Sequence, residues 1–103
     1  MTMRIETALI DTKIATPCLV LDRELIAKNY RNFCQKMDDI DIFYAVKANP
    51  HPDVLSLLVA EGAYFDCASF HEISLVLAAG SHPSKICFGS TLKKASDIAD
   101  AYK

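Results

Sequence analysis

The stretch FYAVKANP, Phe43 to Pro50, decides how the chain is read. Phe43, Tyr44, Ala45 and Val46 form an unbroken apolar run with strong strand formers in it, and they lead straight into one lysine, Lys47. Such a run predicts a strand buried on both faces, as in a parallel sheet. Asn49 precedes Pro50, and proline pushes its predecessor out of helical geometry, so the chain is expected to stay extended through Asn49 and then turn. Lys47 then stands where strand gives way to loop, its stem among apolar groups and its amine at a mouth. Two readings follow. Desolvation lowers the pKa of an amine from about 10.4, and the neutral form is a nucleophile able to form a Schiff base with an aldehyde. Alternatively, Lys47 is an edge residue whose stem lies on apolar surface while its ammonium reaches water.

Outward from this strand, the chain repeats. Strand starts near Phe43, Tyr64 and Ile86 recur every 21 or 22 residues. Each interval holds a helical pattern. Pro52 and Asp53 suit a first helical turn, Val54, Leu55 and Leu58 supply its apolar face, and Gly62 stops it. A strand is expected at Tyr64 to Ala68. Ser69 and Glu72 have the spacing of a capping box, opening a helix that carries Ile73, Val76 and Leu77 and ends at Gly80. A third strand is expected at Lys85 to Phe88, and a last helix from about Leu92, capped by Ser90 or Thr91, with Ile98 inward. Upstream, Pro17 to Leu21 reads as a short strand, after which Asp22 caps a helix with Ile26, Tyr30, Phe33 and Met37 along one face. Arg4 to Ile10 fits a short helix or a strand.

Strands joined through helices run parallel. An open doubly wound sheet and an arc of a (β/α)8 barrel both fit this order. Gly62, Gly80 and Gly89 are isolated, so no G-x-G-x-x-G opens a helix, which weakens the dinucleotide-binding version and favours the barrel.

Composition narrows the partners. A formal charge of −2 and the lack of any lysine or arginine run give nucleic acid no basic face. Cys18, Cys34, Cys67 and Cys87 are widely spaced among apolar neighbours, with no C-x-x-C pair, and read as small reduced core residues of a cytoplasmic protein. Asp38, Asp39 and Asp41 read as a solvated turn rather than a metal site. The segment MTMRIETALIDTK has neither a long apolar run nor the pattern of a signal peptide, so no membrane is expected as a partner.

YAVKAN, followed after a short helical stretch by FDCAS at Phe65 to Ser69 and by Glu72, resembles the pyridoxal-phosphate decarboxylases of the fold shared with alanine racemase. Within them it is most similar to the ornithine decarboxylases, particularly the short bacterial enzymes acting on ornithine or on both lysine and ornithine. The similarity runs from Thr16 through TPCLVLD, YAVKANP, EGAYFDCAS and FGSTLKKASDI. KANPHPDV follows the decarboxylases, whereas racemases of this fold more often read KANAYGHG. Ser90 is a departure, because the family commonly has asparagine there.

The resemblance implies an α/β fold: the N-terminal portion of a pyridoxal-phosphate-binding (β/α)8 TIM-like barrel, preceded by a strand belonging to a second β domain. Residues 1–22 would be the N-terminal segment with that strand, and residues 23–103 the first βα units of the barrel. At 103 residues the chain is expected to be an N-terminal fragment of a larger, homodimeric enzyme. Lys47 matches the Schiff-base lysine. Asp66 matches the aspartate beside lysine and cofactor, Ser69 the serine at the cofactor, and Glu72 the glutamate near the lysine. Bland readings stand beside these, because Asp66 can cap the following helix and a capping box accounts for Ser69 and Glu72 in full. His51, His71 and His82 do not fall in the family's ring-stacking motif. The implied reaction is decarboxylation of a basic amino acid with pyridoxal 5'-phosphate, foremost L-ornithine to putrescine. The alternatives are a lysine/ornithine or diaminopimelate decarboxylase and a non-catalytic regulatory relative.

Overall fold

A computed structural model of the chain describes residues 3–11 and 13–103. Met1, Thr2 and Thr12, part of the expected N-terminal segment, lie outside the described residues. The elements are α1 (Met3–Asp11), α2 (Arg23–Lys36), β1 (Phe43–Ala45), α3 (Pro52–Ala60), β2 (Tyr64–Cys67), α4 (Phe70–Ala78), β3 (Ile86–Phe88) and α5 (Ala95–Tyr102). Single 3₁₀ turns occupy Val46–Ala48 and Pro83–Lys85.

The expected βα repeat forms. β1, β2 and β3 make one sheet in that order, and both pairings are parallel. Its register aligns Tyr44 with Phe65 and Ile86, and Ala45 with Asp66 and Cys87. Because side chains alternate across a strand, these two rows face opposite sides. Phe65 and Cys67 are fully buried against the helices, in a core with Val46, Val54, Leu55, Leu58, Ile73 and Val76. On the other face Phe43 is 45% exposed, and Cys87 is exposed beside half-buried Asp66. Helices therefore cover one side of the sheet. The second side is left open among the described residues.

Local chemistry sets most boundaries. Asp22 accepts from the Leu25 amide at 3.1 Å and starts α2. His51 Nδ1 accepts from the Asp53 amide at 3.2 Å, with Pro52 in the first turn of α3. Gly62 and Gly80, at φ +82° and +99°, end α3 and α4 in the left-handed region that disfavours any Cβ.

Several expectations are corrected. Pro17 to Leu21 is not a strand, because no described segment lies alongside to form a ladder and Pro17 has no N–H to give one. The initial strand of the expected second domain is thus missing from this structure. The segment left open between helix and strand is α1. Beyond β1 the chain does not stay extended: Pro50 restrains only Asn49, at φ −158° and ψ 103°, while Val46–Ala48 turns and buries Val46 completely.

Burial also departs from periodicity. α2 packs on α3 through half-buried Ile26 and Tyr30, but overhangs it, leaving Phe33 and Met37 exposed. Leu77 and Ile98 are exposed as well, at 42% and 52%, although α4 and α5 lie against each other. α5 starts at Ala95 with Lys94 at its N-cap and no side-chain cap, since the Ser90 hydroxyl is spent on the Leu92 carbonyl at 2.8 Å. Of the cysteines, Cys67 alone is buried, Cys34 is half-buried, and Cys18 and Cys87 are exposed on surfaces that no other element covers. All four are free thiols. Asp38, Asp39 and Asp41 are exposed, Asp38 and Asp39 within a turn between α2 and β1.

Candidate active site

Parallel strands bring their C-terminal ends to one rim, and three separated stretches meet there. Lys47 sits in the 3₁₀ turn directly after β1, and that turn packs against β2. Asp66 lies in β2, level with Ala45, two residues before Lys47 in the neighbouring strand. Gly89 follows β3, and its amide continues the ladder by donating to the Cys67 carbonyl at 3.0 Å.

Each side chain there has a definable state. Lys47 is exposed, and no hydrogen bond or ion pair among the described residues holds its ammonium. Its stem is not sheathed in apolar groups as the sequence suggested, because the open face of the sheet offers nothing to cover it. Asp66 does not cap α4. Its carboxylate turns to the open face and lies over Gly89, where a Cβ would stand 2.4 Å from Oδ1. Glycine at that position therefore makes the space the carboxylate occupies.

Ser69 and Glu72 do form the cap. Ser69 Oγ accepts from the Glu72 amide at 3.2 Å. Glu72 Oε2 accepts at 2.6 Å from Ala68, one residue earlier than in the usual reciprocal box. This fixes the Glu72 carboxylate at the end of β2. Burial pushes the Cys67 thiol up to about 12, with further contributions from the charges of Glu72, Asp66 and Cys87. Two carboxylates thus act on one strand end. His51 and His82 are turned into caps, accepting through Nδ1 from Asp53 and Ser84, and neither faces the rim.

A feature that sequence reading missed is the Tyr44 hydroxyl, which donates to the Asn49 carbonyl at 3.1 Å across the lysine turn. Reading Tyr44 as an apolar strand former hid it. Burial holds its phenol above the ordinary value.

An aldehyde needs an accessible primary amine, and a cationic nitrogen beside it needs an anion. Lys47 and Asp66 fit those two demands. The Gly89 amide is committed to the ladder, so it is no phosphate cradle.

Residues 23–103 match the family described as pyridoxal-dependent decarboxylase, pyridoxal binding domain. The chain belongs to this family. Among curated pyridoxal-dependent decarboxylases it is 44% identical, over 87 residues, to the chloroplastic ornithine decarboxylase of Nicotiana glutinosa, covering 84% of this chain and 20% of that protein. It is similar in structure to the lysine/ornithine decarboxylase of Vibrio vulnificus complexed with putrescine, at a TM-score of 0.85 and 33% identity, covering 96% of this chain and 27% of that one. The ornithine decarboxylase of Entamoeba histolytica matches at a TM-score of 0.74 and 35% identity, over 78% of this chain and 24% of that one. Lysine, arginine and diaminopimelate decarboxylases are among the other matches, one of the structures being a complex with PLP and cadaverine. The chain spans about a fifth of the length of the curated relatives it matches. In the pyridoxal-dependent decarboxylases, three parallel strands of this kind open the TIM-like barrel that binds the cofactor. The open face of the sheet carries Ala45, Asp66 and Cys87 in one row.

Proposed function

We propose that the intact protein carrying this chain decarboxylates a basic amino acid with pyridoxal 5'-phosphate, with L-ornithine the leading substrate and putrescine the product. The observation that carries this reading lies at the rim: Lys47, without a hydrogen bond or ion pair among the described residues, follows the strand in which Ala45 stands level with Asp66, and Gly89 leaves room for the Asp66 carboxylate. When bound, pyridoxal phosphate supplies an electron sink for the pair left behind as the substrate carboxylate departs as CO2. Lys47 would hold the cofactor's aldehyde through Nζ. Asp66 holds positive charge near Nζ and accepts or returns its proton there. Glu72, pinned to the Ala68 amide, adds negative charge at the same strand end, and Ser69 shapes the wall beside the cofactor.

We assign residues 23–103 to the first part of the cofactor-binding barrel and residues 1–22 to a segment leading from a second, β-rich domain. The intact enzyme is a homodimer in this reading, and the 103-residue chain alone is inactive and self-associates, because its sheet keeps two edges and an uncovered face. Size-exclusion chromatography checks this, and a monodisperse monomer with full cofactor affinity would count against it.

A second reading, an enzyme acting on both lysine and ornithine, is favoured by how far the likeness reaches. The Vibrio vulnificus match covers 96% of this chain, against 78% for the Entamoeba histolytica one. Turnover of ornithine, lysine and diaminopimelate by the intact protein with added cofactor, followed as CO2 release, separates the substrates. No release from any of the three would leave a non-catalytic binding relative.

A further inference from the structure

We propose that Tyr44 is a positioning residue for Lys47: its hydroxyl, bonded to the Asn49 carbonyl, fixes the turn that presents the amine. This rests on the reading of Lys47 as the cofactor-holding lysine. The ammonium of Lys47 has no partner among the described residues, so backbone alone determines where it stands. That backbone is a single 3₁₀ turn, Val46–Ala48, anchored on one side by fully buried Val46. On the other side the anchor is Asn49, held by Tyr44 from within β1 at 3.1 Å.

The donor is itself rigid. The Tyr44 ring meets the Phe65 ring edge-on, with centroids 6.4 Å apart at 84°, and the two residues share a register position in β1 and β2. From Asn49 the bonding continues, because its Oδ1 accepts from the His51 amide at 3.1 Å and His51 Nδ1 accepts from the Asp53 amide at 3.2 Å. A chain of hydrogen bonds thus runs from β1 to the start of α3 with Lys47 inside its span. Burial keeps the Tyr44 phenol protonated, and so a donor, at ordinary working pH. Without that bond the Asn49 end of the turn is held only through its side chain to the His51 amide, and a lysine displaced by a fraction of an ångström meets the aldehyde less well.

The test is Tyr44→Phe in the intact protein, with Tyr30→Phe as control, because Tyr30 is likewise half-buried but stands on α2, outside the turn. Two readouts besides activity are taken: retention of pyridoxal phosphate on dilution, and the pH midpoint of the cofactor–lysine absorbance. Loss of one neutral hydrogen bond predicts retention weakened about three- to ten-fold in Tyr44→Phe, with a moved midpoint. Tyr30→Phe is expected to lower thermal stability to a similar degree and move neither. Asn49→Gly, which loosens the same turn from its backbone, is expected to repeat the loss and decides the matter if Tyr44→Phe does not fold. Retention within two-fold of wild type and an unmoved midpoint would overturn the proposal. Wild-type protein that fixes no cofactor at Lys47 would remove both this inference and the reading beneath it.

Discussion

Asp66 and Gly89 share a space that only one of them can fill: the Cβ that Gly89 lacks would lie 2.4 Å from Asp66 Oδ1 and 3.3 Å from its Cγ. No positive φ is recorded at Gly89, so glycine is needed there for room and not for backbone freedom. The Asp66 carboxylate has its room from a residue one strand away.

Gly89→Ala should therefore drive the Asp66 carboxylate off its present position, and removing that carboxylate should relieve the crowding. In denaturant unfolding of the intact protein, Gly89→Ala combined with Asp66→Ala is expected to be more stable than the sum of the single changes by about 0.5–2 kcal/mol. Strictly additive effects would mean that the two positions do not press on each other.

Ser69 is fully explained by its bond to the Glu72 amide. Ser69→Ala should cost about 1 kcal/mol of stability, as loss of an N-cap does, while cofactor affinity falls no more than about two-fold. A large drop in affinity with stability intact would make Ser69 a cofactor ligand first and a cap second.

The pair Arg31–Glu61 joins α2 to α3 with two bonds, from Nε at 2.7 Å and from a terminal guanidinium nitrogen at 2.5 Å. The hydrogen bond from Arg31 is the main reason the Glu61 carboxyl lies below its ordinary value, with burial opposing and the guanidinium charge adding to it. A carboxylate depressed in the folded state stabilises above its unfolded pKa, and that contribution disappears as pH falls through the lowered folded value. Melting temperature of the wild type should thus exceed that of Glu61→Gln at neutral pH and approach it as pH falls below the ordinary glutamate range. A gap that persists unchanged to low pH would contradict the assignment.

Thiol reactivity should sort the cysteines by environment. Cys67, buried and with its thiol pushed up to about 12, is expected to resist alkylation at pH 8 while exposed Cys18 and Cys87 react first. Mass spectrometry of partly alkylated protein reads the order directly, and early labelling of Cys67 in native protein would show that the core opens at that strand.

What could be read in the residues was whatever short-range chemistry determines. Asp22, Ser69, Gly62 and Gly80 mark helix ends where they were expected, because a cap or a left-handed turn needs only its own few neighbours. The strand period survives for the same reason, each interval being long enough for one helix and a return. Phe33, Met37, Leu77 and Ile98 show the limit. Their periodicity is helical, yet all four are exposed, because burial depends on how neighbouring elements cross and not on period alone. Pro17 to Leu21 fails as a strand in the same way, a ladder being a property of two segments. The candidate site divides likewise. Lys47 and Asp66 were found from their motifs, whereas the Tyr44 hydroxyl and the room left by Gly89 are visible only once β1, β2 and β3 stand side by side.

The central claim is that Lys47 is the amine that takes the cofactor aldehyde, and borohydride reduction tests it most directly. Intact protein is incubated with pyridoxal 5'-phosphate, reduced, digested and mapped by mass spectrometry. The account predicts a reduced pyridoxyl group on the peptide carrying Lys47, abolished by Lys47→Ala. Modification at Lys85, Lys93 or another lysine, with Lys47 untouched, would contradict it.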